Sequence, residues 1–245
     1  MALVWSHVDQ TNNVRYEVRS AGATLRLYTN GAFHSQFNPN HLFTKGVWDS
    51  LSIAALFARQ TPDRLLMLGV GGGTCLHQIT RMSPQTRCIG VEFDKTHIEV
   101  ATSFFNLTHP NIEVAHFEAS RWLSQHRGKH DVIIDDLFVH GTNDPERPFP
   151  LTEKWLTRLN TRITKQGALI QNHLTLQDAR TAALALNNRF QCALVFRVPR
   201  YENCVLGLYR SRVEARAQRR VFDHWLRSTM PKLQPRLTYS VRQLY

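Results

Sequence analysis

The stretch RLLMLGVGGGTCLHQI, residues 64–79, decides the fold. An apolar run, LLML (65–68), leads directly into Gly69-Val70-Gly71-Gly72-Gly73, and a helix-forming segment follows at TCLHQITRM (74–82). Glycines at a strand-to-helix turn allow positive φ and let a ligand approach the main chain. The helix start beyond them carries N–H groups without intrahelical partners. The dinucleotide pattern G-x-G-x-x-G would need a third glycine where Thr74 stands. G-x-G-x-G, read through Gly69, Gly71 and Gly73, fits the spacing, and it suits a nucleoside-sulfonium ligand with no pyrophosphate to cradle.

Working outward, strand and helix patterns alternate. RCIGVEF (87–93), IEVAHF (112–117), DVIIDDLF (131–138) and GALIQNH (167–173) read as strands, and helical segments stand between and after them. Such alternation predicts a parallel sheet with helices on both faces. QCALVFRVP (191–199) and ENCVLGLYR (202–210) have no helix between them and predict a closing antiparallel hairpin at one edge. The expected fold is therefore α/β: a Rossmann-like doubly wound sheet of the class I methyltransferase type, ending in an antiparallel hairpin. VRYEVRS, ATLRLYT and AFHSQF, separated by turns at Ala21-Gly22 and Asn30-Gly31, predict a small N-terminal β-unit ahead of it. The boundaries are 1–45 for the β-unit, 46–210 for the nucleotide domain, and 211–245 for a basic helix and tail. In the tail helix, Val213, Ala217, Val221 and Trp225 form one expected apolar face beside Phe222 and Leu226.

Acids end three strands beyond the glycines. Glu92 follows them by about twenty residues, where a carboxylate accepts ribose hydroxyls. Glu118 ends the next strand and can face an adenine amino group. Asp135 and Asp136 end the fourth and point to opposite faces if the strand runs through both. Asp136 is the expected cleft residue, able to take a proton from an attacking amine or to stabilise a sulfonium. Asp131, at the far end of the strand, reads as structural. The loop VHGTNDPERPFP (139–150) is long enough to act as a lid, with Asp144, Glu146 and His140 as its candidate substrate-binding residues.

The 245 residues carry a formal charge of +11, of which +8 lies beyond residue 196. The basic tail admits nucleic acid as a partner, although a solvated helix face accounts for it more simply. No segment has the apolar length of a membrane helix, and no leader pattern opens the chain. Four isolated cysteines argue against a disulfide framework or zinc cage. Twelve histidines show no ligand spacing, so no metal is expected. A cytoplasmic location fits these features.

Taken together, LMLGVGGGT, GVEFD, FEASRWL, HDVIIDDLF and QGALIQNH resemble the polyamine aminopropyltransferases, the spermidine synthase family, over about residues 65–174. YTNGAFHSQF is a weaker match to the strand-turn-strand preceding that family's nucleotide domain. The resemblance implies a homodimer, an amine acceptor, and S-adenosylmethionine or its decarboxylated form as donor. It places Glu92 at the ribose, Glu118 near adenine, His34 where a glutamine contacts the donor, and Asp136 at the catalytic base. Three positions depart from the pattern. Gly72 replaces the acid that steadies the aminopropyl end, Val139 replaces a second amine-gripping acid, and Val47-Trp48 stand where a tyrosine-bearing helix is expected. Methyl transfer, and nucleoside or nucleic-acid binding without turnover, are the rival expectations.

Overall fold

The computed structural model describes residues 1–140, 145–147, 152–199, 201–231 and 237–245, except for the side chains at 139, 140, 145 and 146. Asp144 and the side chains of His140 and Glu146 therefore lie outside the described residues, as does the Val139 side chain.

Four antiparallel strands, β1 (Ala2–Asp9), β2 (Val14–Ala21), β3 (Thr24–Thr29) and β4 (Ala32–Phe37), form a meander in sequence order. Gly22 (φ +60°) and Gly31 (φ +82°) turn two of its hairpins. Helix α1 (Val47–Phe57) is buried along almost its whole length. The alternating region then supplies β5 (Arg64–Leu68), α2 (Thr74–Met82), β6 (Arg87–Glu92), α3 (Lys95–Ser103), β7 (Ile112–His116), α4 (Ala119–Gln125) and β8 (His130–Asp135). Two short strands, β9 (Val139–His140) and β10 (Pro145–Glu146), pair with each other. They are followed by α5 (Glu153–Thr161), β11 (Ile163–His173), α6 (Leu176–Ala185), β12 (Cys192–Arg197), β13 (Cys204–Tyr209), α7 (Ala215–Thr229) and β14 (Ser240–Gln243).

The main sheet has the order β14-β12-β13-β11-β8-β5-β6-β7. The strands from β11 to β7 are parallel, and the β12–β13 hairpin is antiparallel. The order reverses between β5 and β8, the switch point at which open α/β sheets bind ligands. β5 is buried from Leu65 to Leu68 because helices cover both of its faces. Leu65, Met67 and Ile134 belong to one apolar layer, and Leu66, Leu68 and Ile133 to the other. Asp131 behaves as a brace: it accepts from the Asp63 and Arg64 amides and from Thr164 Oγ1.

Two expectations need correction. The closing hairpin is not the sheet edge, because β14 pairs with β12 outside it. In α7 the buried residues are Ala215, Phe222 and Leu226, and Val221 is exposed. Phe222 packs on Phe57 of α1 at a ring distance of 5.7 Å, and that contact sets the rotation of the helix. No helix among the described residues is long and apolar enough to cross a membrane.

Candidate active site

A cavity of about 1100 Å³ opens between the N-terminal meander and the carboxyl ends of β5, β6, β7, β8 and β11. Gly69 and Gly71 line it, whereas Gly73 does not. Gly73 is the N-cap of α2 at φ +84°, and a Cβ there would meet Leu107 at 2.6 Å. Gly72 also faces protein, since its Cβ would lie 2.6 Å from Phe105 and 2.8 Å from Ser35. The missing acid at position 72 thus coincides with a place where no side chain fits.

The loop amides are satisfied from within. Gly69 N–H donates to Val91 O, Val70 and Gly71 both donate to Glu92 Oε2 (2.8 Å each), Gly72 donates to Ser35 Oγ (2.7 Å), and Gly73 to Val70 O. No donor remains in this loop for a pyrophosphate or a ligand carboxylate. Dinucleotide sites of the phosphate-cradling kind depend on such donors.

Glu92 is therefore first a brace of the glycine turn. Its Oε1 also accepts from Asp94 N–H (2.9 Å), so about one of the roughly four acceptor positions of a carboxylate is left for a ligand hydroxyl. Glu118 caps α4, accepting from the Ser120 and Arg121 amides and from Ser120 Oγ. Burial pushes its carboxyl up, but these donors and Arg158 outweigh that and hold it below the ordinary value. Both acids line the cavity, as does His34, whose ring lies 5.1 Å from that of His97. His97 is itself fixed by Thr29 Oγ1 at 2.8 Å. Trp48 and Phe33 pack edge to face at 5.1 Å and form an aromatic wall where the resemblance places a tyrosine-bearing helix.

The two aspartates at the carboxyl end of β8, Asp135 within the strand and Asp136 just after it, separate sharply. Asp135 is fully buried beneath the cavity and bonds to Trp155 Nε1, Gln171 Nε2 and the Arg147 guanidinium (2.6 Å). Asp136 lines the cavity, and its Oδ1 accepts from Asn172 Nδ2 at 2.8 Å. Burial pushes the Asp136 carboxyl up to about 7, against the opposing pull of the Asn172 bond and the Arg147 charge, and Asp135 and Glu92 add to the rise. A carboxyl in that range exchanges protons near neutrality. Cys75 follows the loop, but burial raises its thiol well above the ordinary value, so it is no poised nucleophile.

Arg147, Asn172, Tyr201, Glu202 and Asn203 complete this region without having been singled out in the sequence. Arg147 also donates to Asn172 O (2.7 Å) and lies over the Phe138 ring. Only the chain folding across β8, β11 and β13 brings these residues together, and no local spacing signals it. Among the described residues no group of histidine, cysteine and acidic side chains is placed to hold a metal.

The fold is of the class shared by spermidine synthases and class I methyltransferases. Within that class the chain is spermidine synthase-like. Over 136 residues (55% of the chain) it is 24% identical to a probable polyamine aminopropyl transferase of Bifidobacterium longum, of which the match covers 29%. A polyamine aminopropyltransferase of Vibrio vulnificus is 25% identical over 126 residues, with 41% of it covered. The chain thus matches less than half the length of these curated relatives. A probable spermidine synthase from Corynebacterium glutamicum superposes with a TM-score of 0.75 at 17% identity, covering 99% of this chain and 91% of that one. Human methyltransferase-like protein 13, in complex with SAH, gives 0.61 at 22% identity over 78% of this chain and 92% of that one. No protein-family model matches.

Proposed function

We propose that the chain is an aminopropyltransferase-like enzyme using decarboxylated S-adenosylmethionine. The acceptor amine attacks the carbon beside the sulfonium. A C–N bond forms as the C–S bond breaks, its electron pair stays on sulfur, and methylthioadenosine departs. Asp136 takes the proton released from the new ammonium. Glu92 offers its remaining acceptor position to the ribose, and Glu118 lies on the adenine side. Holding donor and acceptor together in one cavity supplies much of the acceleration.

The observation that carries this reading is the charge of the cavity. Six carboxylates line it (Asp9, Glu92, Asp94, Glu118, Asp136 and Glu202), and Lys95 is the one lysine or arginine among its described lining residues. The protein as a whole carries +11. An acidic recess in a basic protein suits a cationic acceptor and a donor whose tail ends in ammonium alone.

Calorimetry with four nucleosides tests the assignment. Decarboxylated S-adenosylmethionine and methylthioadenosine are expected to bind at least tenfold more tightly than S-adenosylmethionine and S-adenosylhomocysteine, and NAD is expected not to bind. A preference for the carboxylated pair moves the assignment to methyl transfer, the chemistry consistent with the SAH-bound neighbour.

A further inference from the structure

Charge is divided between the two ends of the main sheet. The acidic cavity lies at the carboxyl ends of the parallel strands, and a row of cations lies at their amino ends. Arg64 opens β5 and Arg87 opens β6, and the two are Cα partners in the parallel ladder. Lys129 immediately precedes β8, and Lys165 lies near the start of β11. β11, β8, β5 and β6 are consecutive in the sheet. All four side chains are exposed, and none has a hydrogen bond or ion pair among the described residues. The connection before β8 adds Arg127, also exposed. That connection lies against the start of β5, since a Cβ at Gly128 would stand 3.5 Å from the Arg64 guanidinium.

Three acids at this end are already engaged. Arg59 pairs with Asp63 at 2.9 Å and with Asp131 at 3.4 Å, and Glu214 caps α7. Glu113, exposed on β7, flanks the row beyond Arg87. Like charges on paired neighbouring strands repel, so the fold carries an arrangement that a bound polyanion relieves.

Spacing and surface chemistry identify the polyanion. Three steps of about 4.8 Å carry the row across roughly 14 Å. One strand of a nucleic acid duplex advances about 3.4 Å per phosphate, so that span faces about four phosphates. None of the large apolar side chains exposed among the described residues lies in the connections that bear the row. A helix that inserts into a membrane, or the core of a protein interface, uses such side chains as anchors.

We propose that the amino-terminal edge of the main sheet, at Arg64, Arg87, Lys129 and Lys165, binds the phosphodiester backbone of nucleic acid without base specificity. The site is separate from the cavity and does not depend on the aminopropyl-transfer reading. It also differs from the basic tail that composition singles out. In α7, Arg219 is paired with Asp223 at 3.5 Å and lies over the Tyr239 ring.

Fluorescence anisotropy on the full chain tests the site, with a labelled DNA duplex and a labelled single-stranded RNA, each of about 20 nucleotides per strand, between about 50 and 200 mM NaCl. With four phosphates neutralised, duplex affinity is expected to fall roughly a hundredfold over that range. The triple variant Arg64→Gln, Arg87→Gln, Lys129→Gln is expected to bind more than tenfold more weakly at the lower salt. Its slope of log affinity against log salt should flatten by about 1 for each cation removed. Arg220→Gln, Arg227→Gln, Arg242→Gln makes the same change of charge at exposed arginines of α7 and β14. It should stay within about threefold of wild type. Far-UV circular dichroism checks that both variants fold; where the first does not, its single replacements carry the test, each flattening the slope by about 1. Binding of either nucleic acid that depends on the row supports the site, and the tighter of the two names the source of the phosphates. Equal losses in the two triple variants overturn it, as does failure to bind either nucleic acid at the lower salt. Equal competition by polyglutamate overturns it in favour of an acidic protein. Recovery on phosphatidylserine vesicles with no nucleic acid binding overturns it in favour of a membrane surface.

Discussion

Replacing Asp136 with asparagine is expected to lower kcat on the order of a hundred- to ten-thousandfold, the range a positioned base contributes. Methylthioadenosine affinity should stay within a few-fold of wild type, because the glycine loop and Glu92 do not depend on this side chain for their bonds. The pH profile gives a second readout. Burial lifts this carboxyl from 3.8 to about 7, and the base works when deprotonated. Wild-type activity should therefore climb tenfold per pH unit below about 7 and level off above it. Stability runs the other way. The folded state holds a proton that the unfolded chain releases near 3.8, so this group's contribution is full below about pH 4 and is lost as pH rises through about 7. Asparagine escapes that loss, so above pH 7 the variant should be the more stable protein, by on the order of 1 to 2 kcal/mol. Full turnover in Asp136→Asn would remove the residue from the mechanism; a stability gap that fails to widen between pH 4 and 8 would remove the account of its burial.

The second large effect belongs to Gly69→Ala. Gly69 sits at φ +83°, and a Cβ there would come within 2.3 Å of the Asp136 carbonyl oxygen. The conformation costs an alanine roughly 1–2 kcal/mol, and forcing the β5 and β8 ends apart adds an overpacking cost of about 1–3 kcal/mol. A loss of about 3 kcal/mol in urea unfolding is expected, with nucleoside binding abolished because the base and the loop move together. Gly22→Ala is the control: its φ is +60° and nothing lies within 4 Å of the added carbon. It should lose only the conformational part. If both variants lose the same amount, the close approach at Gly69 has no energetic weight.

The parallel core was legible in the sequence because β5, β6, β7 and β8 are short apolar runs that lead into a glycine or an acid, with helix-forming segments between them. Strand alternation predicts that Asp135 and Asp136 face opposite ways but not which of them faces the cleft, a choice that depends on the layers packed around the strand. Other features depended on tertiary partners. β1 reads as exposed at most positions, so no buried stripe announces it. β14 becomes a strand only because the β12 edge is there to pair with it. Glu92 looked free to hold a sugar, yet most of its acceptor capacity braces the turn that precedes it, a use that only the folded loop reveals. Val221 fits the helical period of a buried face but is exposed, because Phe222 and Leu226 take the contact with α1 and the sheet. Arg147 and Glu202 lie in connections, where a single charge carries no pattern.

A cavity of one sign inside a molecule of the other also has a kinetic consequence. A multiply charged cation diffusing toward this surface meets net repulsion before it meets the acidic mouth. Added salt shortens the Debye length from about 30 Å at 0.01 M to about 8 Å at 0.15 M, which hides the distant arginines first and the adjacent carboxylates last. Capture of such a cation should therefore quicken as ionic strength rises through this range, the reverse of ordinary electrostatic steering.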